Sequence, residues 1–181
     1  KVRGPLGVNG LNDRIYIEGG HQLKGSIRIQ GSKNAALPIL AATLCKAGVY
    51  ELYDCPKIRD VFAMLDILHS LGARTHWEDE CLVVDSRNIS ECKVSKEKMQ
   101  EMRSSVFLLG SLLTRCGEAT IHRPGGCRIG KRPIDIHING LEELGFQVSD
   151  EEGTIRCSGI CCGGKITLAY PSVGATENLI M

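Results

Sequence analysis

Two stretches of this chain repeat one order of elements, and that duplication restricts the fold more than any other feature. From Arg14 onward short β-prone runs alternate with helical patterns. In the first copy Arg14–Glu18 and Lys24–Gln30 read as strands. Asn34–Lys46 reads as an apolar helix, with Pro38 near its first turn and Gly48 as its stop, and Val49–Tyr53 as a strand. Ile58, Val61, Leu65, Leu68 and Leu71 then mark one helical face before Gly72, and Arg74–Glu78 and Cys81–Asp85 form a hairpin around Asp79. The unit is βαβαββ.

The second copy has a helix at about Arg103–Arg115, a stop at Gly117 and a strand at Ala119–His122. Its second helix carries Ile134, Ile138, Leu141 and Leu144 before Gly145, and Phe146–Ser149 and Thr154–Cys157 flank the turn at Glu151-Glu152-Gly153. A third copy begins with a strand at Lys165–Leu168, and its first helix is cut at Met181, so the chain reads as a fragment of a longer protein. The stop glycines measure the repeat: Gly48 to Gly117 is 69 residues and Gly72 to Gly145 is 73. The excess of four falls between strand and second helix, where a function grafted onto a repeat is expected.

That longer connection is Arg123 to His137. It sets Cys127 among three glycines (Gly125, Gly126, Gly130) and four cations (Arg123, Arg128, Lys131, Arg132), just before Pro133 and Asp135. Glycines let backbone bend and approach a ligand, and clustered cations favour an anion and a thiolate beside it. The stretch is expected to bind a phosphorylated substrate and present Cys127 to it, rather than bury the thiol as a small hydrophobe. Arg132, ahead of a proline suited to the first helical position, projects from a helix N-terminus. Asp135 can partner the same helix dipole, and His137 reads as an orienting or structural residue. Gly31-Ser32-Lys33-Asn34 ends a strand and opens a helix, an arrangement that suits a phosphate or carboxylate, although a plain turn with a solvated lysine fits equally well. Arg103 lies 70 residues after Lys33 and Val173 another 70 on, so several helix N-termini are expected to converge. A cation at a helix start is disfavoured by ~0.3–1 kcal/mol, which points to a bound anion. Met99, Met102 and Phe107 are expected to pack.

Charge and cysteine counts exclude several classes. With 22 basic and 21 acidic side chains nothing draws the chain broadly to nucleic acid. The longest nearly apolar run, Ala35–Cys45, has 11 residues, so no membrane span is expected. Nine cysteines without a Cys-x-x-Cys pair disfavour a zinc ribbon, a thioredoxin motif and a fully paired disulfide framework, and most of the thiols are expected to be buried. No metal and no cofactor are expected. The glycine- and proline-containing first ten residues read as a flexible leader.

Four motifs in order, Gly-Ser-Lys-Asn-Ala-Ala-Leu-Pro-Ile-Leu, Met-Arg-Ser-Ser, Pro-Gly-Gly-Cys-Arg-Ile-Gly-Lys-Arg-Pro-Ile-Asp-Ile-His and Pro-Ser-Val-Gly-Ala-Thr-Glu-Asn, give the chain from about Ile15 to Met181 a resemblance to the UDP-N-acetylglucosamine enolpyruvyl transferases. The resemblance implies an α/β (α+β) fold of repeated βαβαββ units in an inside-out α/β barrel, two domains of three units each, and an active site in the cleft between them. It divides the chain into a leader at 1–12, a strand at 13–22 that packs with a missing second domain, and an incomplete first domain at 23–181, with units at about 23–90, 91–160 and 163–181. It also implies transfer of the enolpyruvyl group of phosphoenolpyruvate to the sugar 3-hydroxyl in bacterial cytoplasm, for peptidoglycan, through a tetrahedral intermediate. By resemblance Lys33, Asn34 and Arg132 meet phosphoenolpyruvate, and Cys127 donates a proton to its methylene carbon. Arg103, Arg132, Pro133, Ile134, Asp135 and Ile136, with Tyr170, Pro171, Ser172 and Val173, line the UDP-sugar site. The catalytic aspartate and further arginines of the family lie in the second domain, so the fragment alone is expected to be inactive. The shikimate-pathway enolpyruvyl transferase, which has Ser-Lys-Ser and no cysteine loop, is the alternative, together with a non-catalytic UDP-sugar-binding homologue.

Overall fold

The structure, a computed structural model, describes residues 2–3, 16–17, 19–20, 22, 24–101, 106–123 and 134–181. At the N-terminal end β1 (Val2–Arg3), within the stretch read as a flexible leader, pairs antiparallel with β2 (Tyr16–Ile17). The first unit then runs α1 (Lys33–Ala42), β3 (Val49–Tyr53), α2 (Arg59–Ser70), β4 (Arg74–Glu78) and β5 (Cys81–Asp85). Alternation and hairpin chemistry put the last two strands where the sequence places them, with Asp79 taking the left-handed conformation (φ 53°) at the turn. β5 lies between β3 and β4, antiparallel to both, and α2 buries Val61, Met64, Leu65, Ile67 and Leu68 at helical spacing.

The second unit has α3 (Lys96–Glu101), α4 (Leu108–Cys116), β6 (Glu118–His122), α5 (Asp135–Glu143), β7 (Gln147–Glu151) and β8 (Thr154–Ser158). Its sheet is again an antiparallel triplet with the last strand in the middle, β6-β8-β7. Gly72, Gly117 and Gly145 follow the ends of α2, α4 and α5 with φ of 105°, 73° and 97°, values open to glycine at little steric cost. Gly48 does not act this way, because α1 stops at Ala42, short of the expected Lys46. The chain closes with α6 (Val173–Ile180).

Two expected strands did not form. Residues 24–30 and 165–168 have no ladder partner among the described residues, and Ile27 and Ile29 stand exposed. β-propensity is realised only where a neighbouring edge receives it. In the second unit the corresponding slot is filled by Lys93, which bridges Thr120 of β6 in parallel fashion, with Val94 N–H donating to the Thr120 carbonyl at 3.0 Å.

Both units share one buried cluster, and α4 is its axis. Six consecutive residues, Leu108 to Leu113, are buried, as a helix covered on all sides requires. α4 packs on α1, β6, β8 and α6. Thr114, near its end, donates to the Met181 carbonyl at 2.7 Å, while Phe107, at its start, faces Gly174 at the start of α6. α4 and α6 are therefore parallel. Cys45, just after α1, lies 3.8 Å from the same Met181 carbonyl. Met99 is buried and Phe107 packs against the core, as the sequence reading expects, while Met102 lies outside the described residues.

Candidate active site

Lys33 and Asn34 open α1. Its N-cap, Ser32, makes no side-chain cap, and its carbonyl takes the N–H groups of Ala35 and Ala36 at 3.2 and 2.9 Å. Among the described residues nothing accepts from the Lys33 and Asn34 N–H groups, which leaves this helix end with the open donors that suit an anion. The first turn has no acidic residue. Pro38, buried in mid-helix, has no N–H for the Asn34 carbonyl, which is left without its usual helical donor. Gly31 permits the approach to this turn, since a Cβ there would strike the Asp54 carbonyl.

Lys33 Nζ lies 2.8 Å from Asp60 Oδ2 in the first turn of α2, both about half-exposed. Such a pair is worth ~0–1 kcal/mol, so a dianionic ligand can take the lysine over at small cost. Asp60 escaped the sequence reading because a carboxylate in a first turn looks like a dipole partner of its own helix. Beside this turn a hollow of about 250 Å³ is lined by Gly31, Ser32, Glu51, Tyr53, Asp54 and Cys55. A larger hollow of about 800 Å³, bounded by Lys96, His122, Arg123, Thr154 and Arg156, opens at the end of the second sheet. Its two arginines are engaged, Arg123 with Asp150 and Arg156 with Glu151 at 3.0 Å.

The described members of the second group of expected site residues lie at the starts of α5 and α6, close to the start of α4. A Cβ added to Gly174 would lie 3.6 Å from the Phe107 ring and 3.8 Å from His137 Cε1, so the three helix starts meet there. Asp135 stands exposed in the first turn of α5. Ile134 and Ile136 on either side are buried, at 6% and 7% exposed. Ser172 caps α6, its hydroxyl oxygen accepting the Ala175 N–H at 3.3 Å. Pro171 is exposed. Tyr170 and Val173 also stay exposed, at 48% and 76%. Arg103, Cys127, Arg132 and Pro133 lie outside the described residues. No described hydrogen bond or ion pair joins Lys33 or Asn34 to Asp135 or Ser172.

His137 is buried, and burial pushes its pKa below the ordinary value, with Asp135 opposing the shift. Its Nδ1 lies 3.2 Å from the amide nitrogen of Asn178, a fully buried residue that the sequence reading passed over inside a quoted motif. An amide on the inward face of a short apolar helix was the available signal. The cysteines also depart from expectation. Of the eight described, Cys157 is buried, Cys116, Cys161 and Cys162 are exposed, and the rest are intermediate; none of the eight is in a disulfide.

The family profile described as EPSP synthase (3-phosphoshikimate 1-carboxyvinyltransferase) matches residues 17–181. The chain is 43% identical over 169 residues to UDP-N-acetylglucosamine 1-carboxyvinyltransferase 2 of Caldanaerobacter subterraneus subsp. tengcongensis, with 93% of this chain and 40% of that protein covered. It is 45% identical over 177 residues to UDP-N-acetylglucosamine 1-carboxyvinyltransferase 1 of Symbiobacterium thermophilum, with 94% and 40% covered. It thus spans about 40% of the length of these relatives. Among solved structures it is similar to the enolpyruvyl transferase NikO from Streptomyces tendae, at TM-score 0.65 and 21% identity over 78% of this chain and 31% of that one. It is also similar to EPSP synthase from Acinetobacter baumannii, at TM-score 0.62 and 16% identity over 86% and 37%. These two likenesses concern the fold.

Proposed function

The chain belongs to the EPSP synthase family, and from that premise we propose that it is part of a UDP-N-acetylglucosamine 1-carboxyvinyltransferase acting in peptidoglycan precursor synthesis. Residues 23–181 are then most of a first domain, and a second domain completes the cleft with its aspartate and further arginines. Lys33, Asn34 and Arg132 hold phosphoenolpyruvate. Arg103, Asp135, the backbone of Ile134 and Ile136, and Tyr170 to Val173 receive the UDP-sugar together with Arg132 and Pro133.

The observation that carries the phosphate side is the uncapped start of α1, with Lys33 in its first turn and only a half-exposed carboxylate to hold it. The names of the relatives at 43% and 45% identity favour the UDP-sugar as acceptor. In the reaction Cys127 delivers a proton to the methylene carbon while the sugar 3-hydroxyl oxygen bonds to the adjacent carbon and gives up its proton to a base. Elimination then breaks the bond to phosphate and removes a proton from the new methyl group, restoring the double bond. A positioned general acid contributes ~10²–10⁴ in rate. The cations carry the charge redistributed onto phosphate, and closure of the glycine-rich loop keeps water from the intermediate.

The test is phosphate release by the full-length protein. Release from phosphoenolpyruvate is expected with UDP-N-acetylglucosamine and not with shikimate 3-phosphate, and fosfomycin is expected to alkylate Cys127. The reverse acceptor preference would establish the shikimate-pathway reading, and UDP-sugar binding without phosphate release would establish a non-catalytic homologue.

A further inference from the structure

Asn178 joins three helices. Its side-chain oxygen accepts the backbone N–H of Gly110, in the first turn of α4, at 2.9 Å. That N–H can only donate, so the amide is oriented with its nitrogen toward His137. An amide NH₂ can only donate in turn, so Nδ1 of His137 must offer its lone pair at 3.2 Å and the ring must carry its proton on Nε2. Two glycines make this closeness possible: a Cβ at Gly110 would strike the Asn178 carbonyl, and one at Gly140 would strike the Leu179 side chain. Phe107, the N-cap of α4, has no side chain able to cap, so an amide from another helix serves one of the open N–H groups of that first turn.

On the function proposed above, described residues offered to the UDP-sugar sit at two of these helix starts: Asp135 opening α5, and Ser172 and Val173 opening α6. We propose that Asn178 is a positioning residue for the UDP-sugar subsite, locking the starts of α4, α5 and α6 together through Gly110 and the Nε2–H tautomer of His137. It acts through these partners and touches no substrate. Arg132, which the proposed function gives to both ligands, precedes α5, but Lys33 and Asn34 on α1 are set apart from Asn178, which among the described residues has no hydrogen bond to α1 or α2. This separation gives the inference its particular signature.

The experiment compares full-length wild type with Asn178→Asp and Asn178→Ala. Asn178→Asp keeps the size and the acceptor for Gly110 but loses the donor and attracts a proton onto Nδ1. It is expected to raise KM for UDP-N-acetylglucosamine about tenfold, the scale of one buried hydrogen bond, with a clearly smaller rise in KM for phosphoenolpyruvate, which keeps Lys33 and Asn34. Asn178→Ala is expected to do the same with a lower melting temperature. Ring ¹⁵N shifts of His137 should report the neutral Nε2–H form in wild type and an imidazolium in Asn178→Asp. A wild-type Nδ1–H tautomer overturns the proposal, as do equal losses for both substrates or two variants that fail to fold. If the wild type ignores UDP-N-acetylglucosamine, the proposed function fails instead, and the ¹⁵N measurement still judges the Asn178–His137 contact.

Discussion

The two three-stranded sheets among the described residues are built on one scaffold but joined to their second helices differently. Pairing runs from Val49↔Asp85 to Tyr53↔Cys81 in the first unit and from Glu118↔Ser158 to His122↔Thr154 in the second. Both second helices end just before a left-handed glycine, Gly72 or Gly145. What differs is the connection from strand to second helix: residues 54–58 in the first unit and 123–134 in the second. It is seven residues longer in the second unit, and α5 is three residues shorter than α2 (9 against 12), which leaves the net four seen in the glycine spacing. Because the elements on either side are fixed by the same packing, a loop can lengthen between them without disturbing the sheet.

Each connection also contains a cysteine, and the largest effect should separate the two. Cys55 is half-buried against the first unit, and burial pushes its thiol up, away from easy ionisation. Cys127 is surrounded in sequence by cations and glycines. Cys127→Ala is expected to cut kcat of the full-length enzyme by ~10²–10⁴, the usual worth of a positioned acid, while Cys55→Ala leaves it within about threefold. Iodoacetamide followed by peptide mass mapping should label Cys127 well ahead of Cys55. Equal labelling and equal losses would make the long loop no different in chemistry from the short one.

A smaller effect lies on the other side of the comparison, where the first unit supplies Lys33. Lys33→Ala is expected to raise KM for phosphoenolpyruvate about 10- to 100-fold, as loss of a charge-assisted contact does. The urea midpoint should barely move, because the Lys33–Asp60 pair is half-exposed and worth under about 1 kcal/mol. A large loss of stability without a change in KM would make the lysine a structural brace and remove the first unit from the site.

What could be read in advance follows the same division. The hairpins at Arg74–Asp85 and Gln147–Ser158 were legible because alternation, turn residues and stop glycines act locally. The slot beside the first strand of each unit was not. Residues 24–30 look like a strand and lack a ladder, whereas the polar run around Lys93, which looks like a connection, bridges Thr120. That choice depends on which edge is near, and no local pattern contains it. The site divides likewise. Lys33, Asn34 and Ser172 announce helix starts in sequence, but Asp60 and Asn178 acquire their partners from helices 27 and 41 or more residues away. Ile134 and Ile136 are placed in the site by resemblance, and both side chains are buried.

The smallest effect tests whether the sheets are interchangeable where no function intervenes. The fourth residue of the central strand is Val84 in the first unit and Cys157 in the second, and both are buried. Cys157→Val fills the same place with a similar volume and should cost less than about 1.5 kcal/mol. It should also change the alkaline limb of stability. Burial, with Glu142 adding to it, raises the Cys157 pKa from 9.0 to about 11, so the folded chain holds this proton more tightly than the unfolded one. The corresponding stabilisation is complete below about pH 9 and is lost as pH rises toward about 11. Cys92, whose thiol lies 3.0 Å from Glu118 Oε1 and is also pushed up to about 11, adds a loss of the same sign. Urea midpoints at about pH 8 and about pH 10 should therefore fall less steeply in Cys157→Val than in wild type, with the remaining slope removed in part by Cys92→Ser. An unchanged slope would mean that Cys157 is not a buried counterpart of Val84, and the pairwise match of the two sheets would fail at its centre.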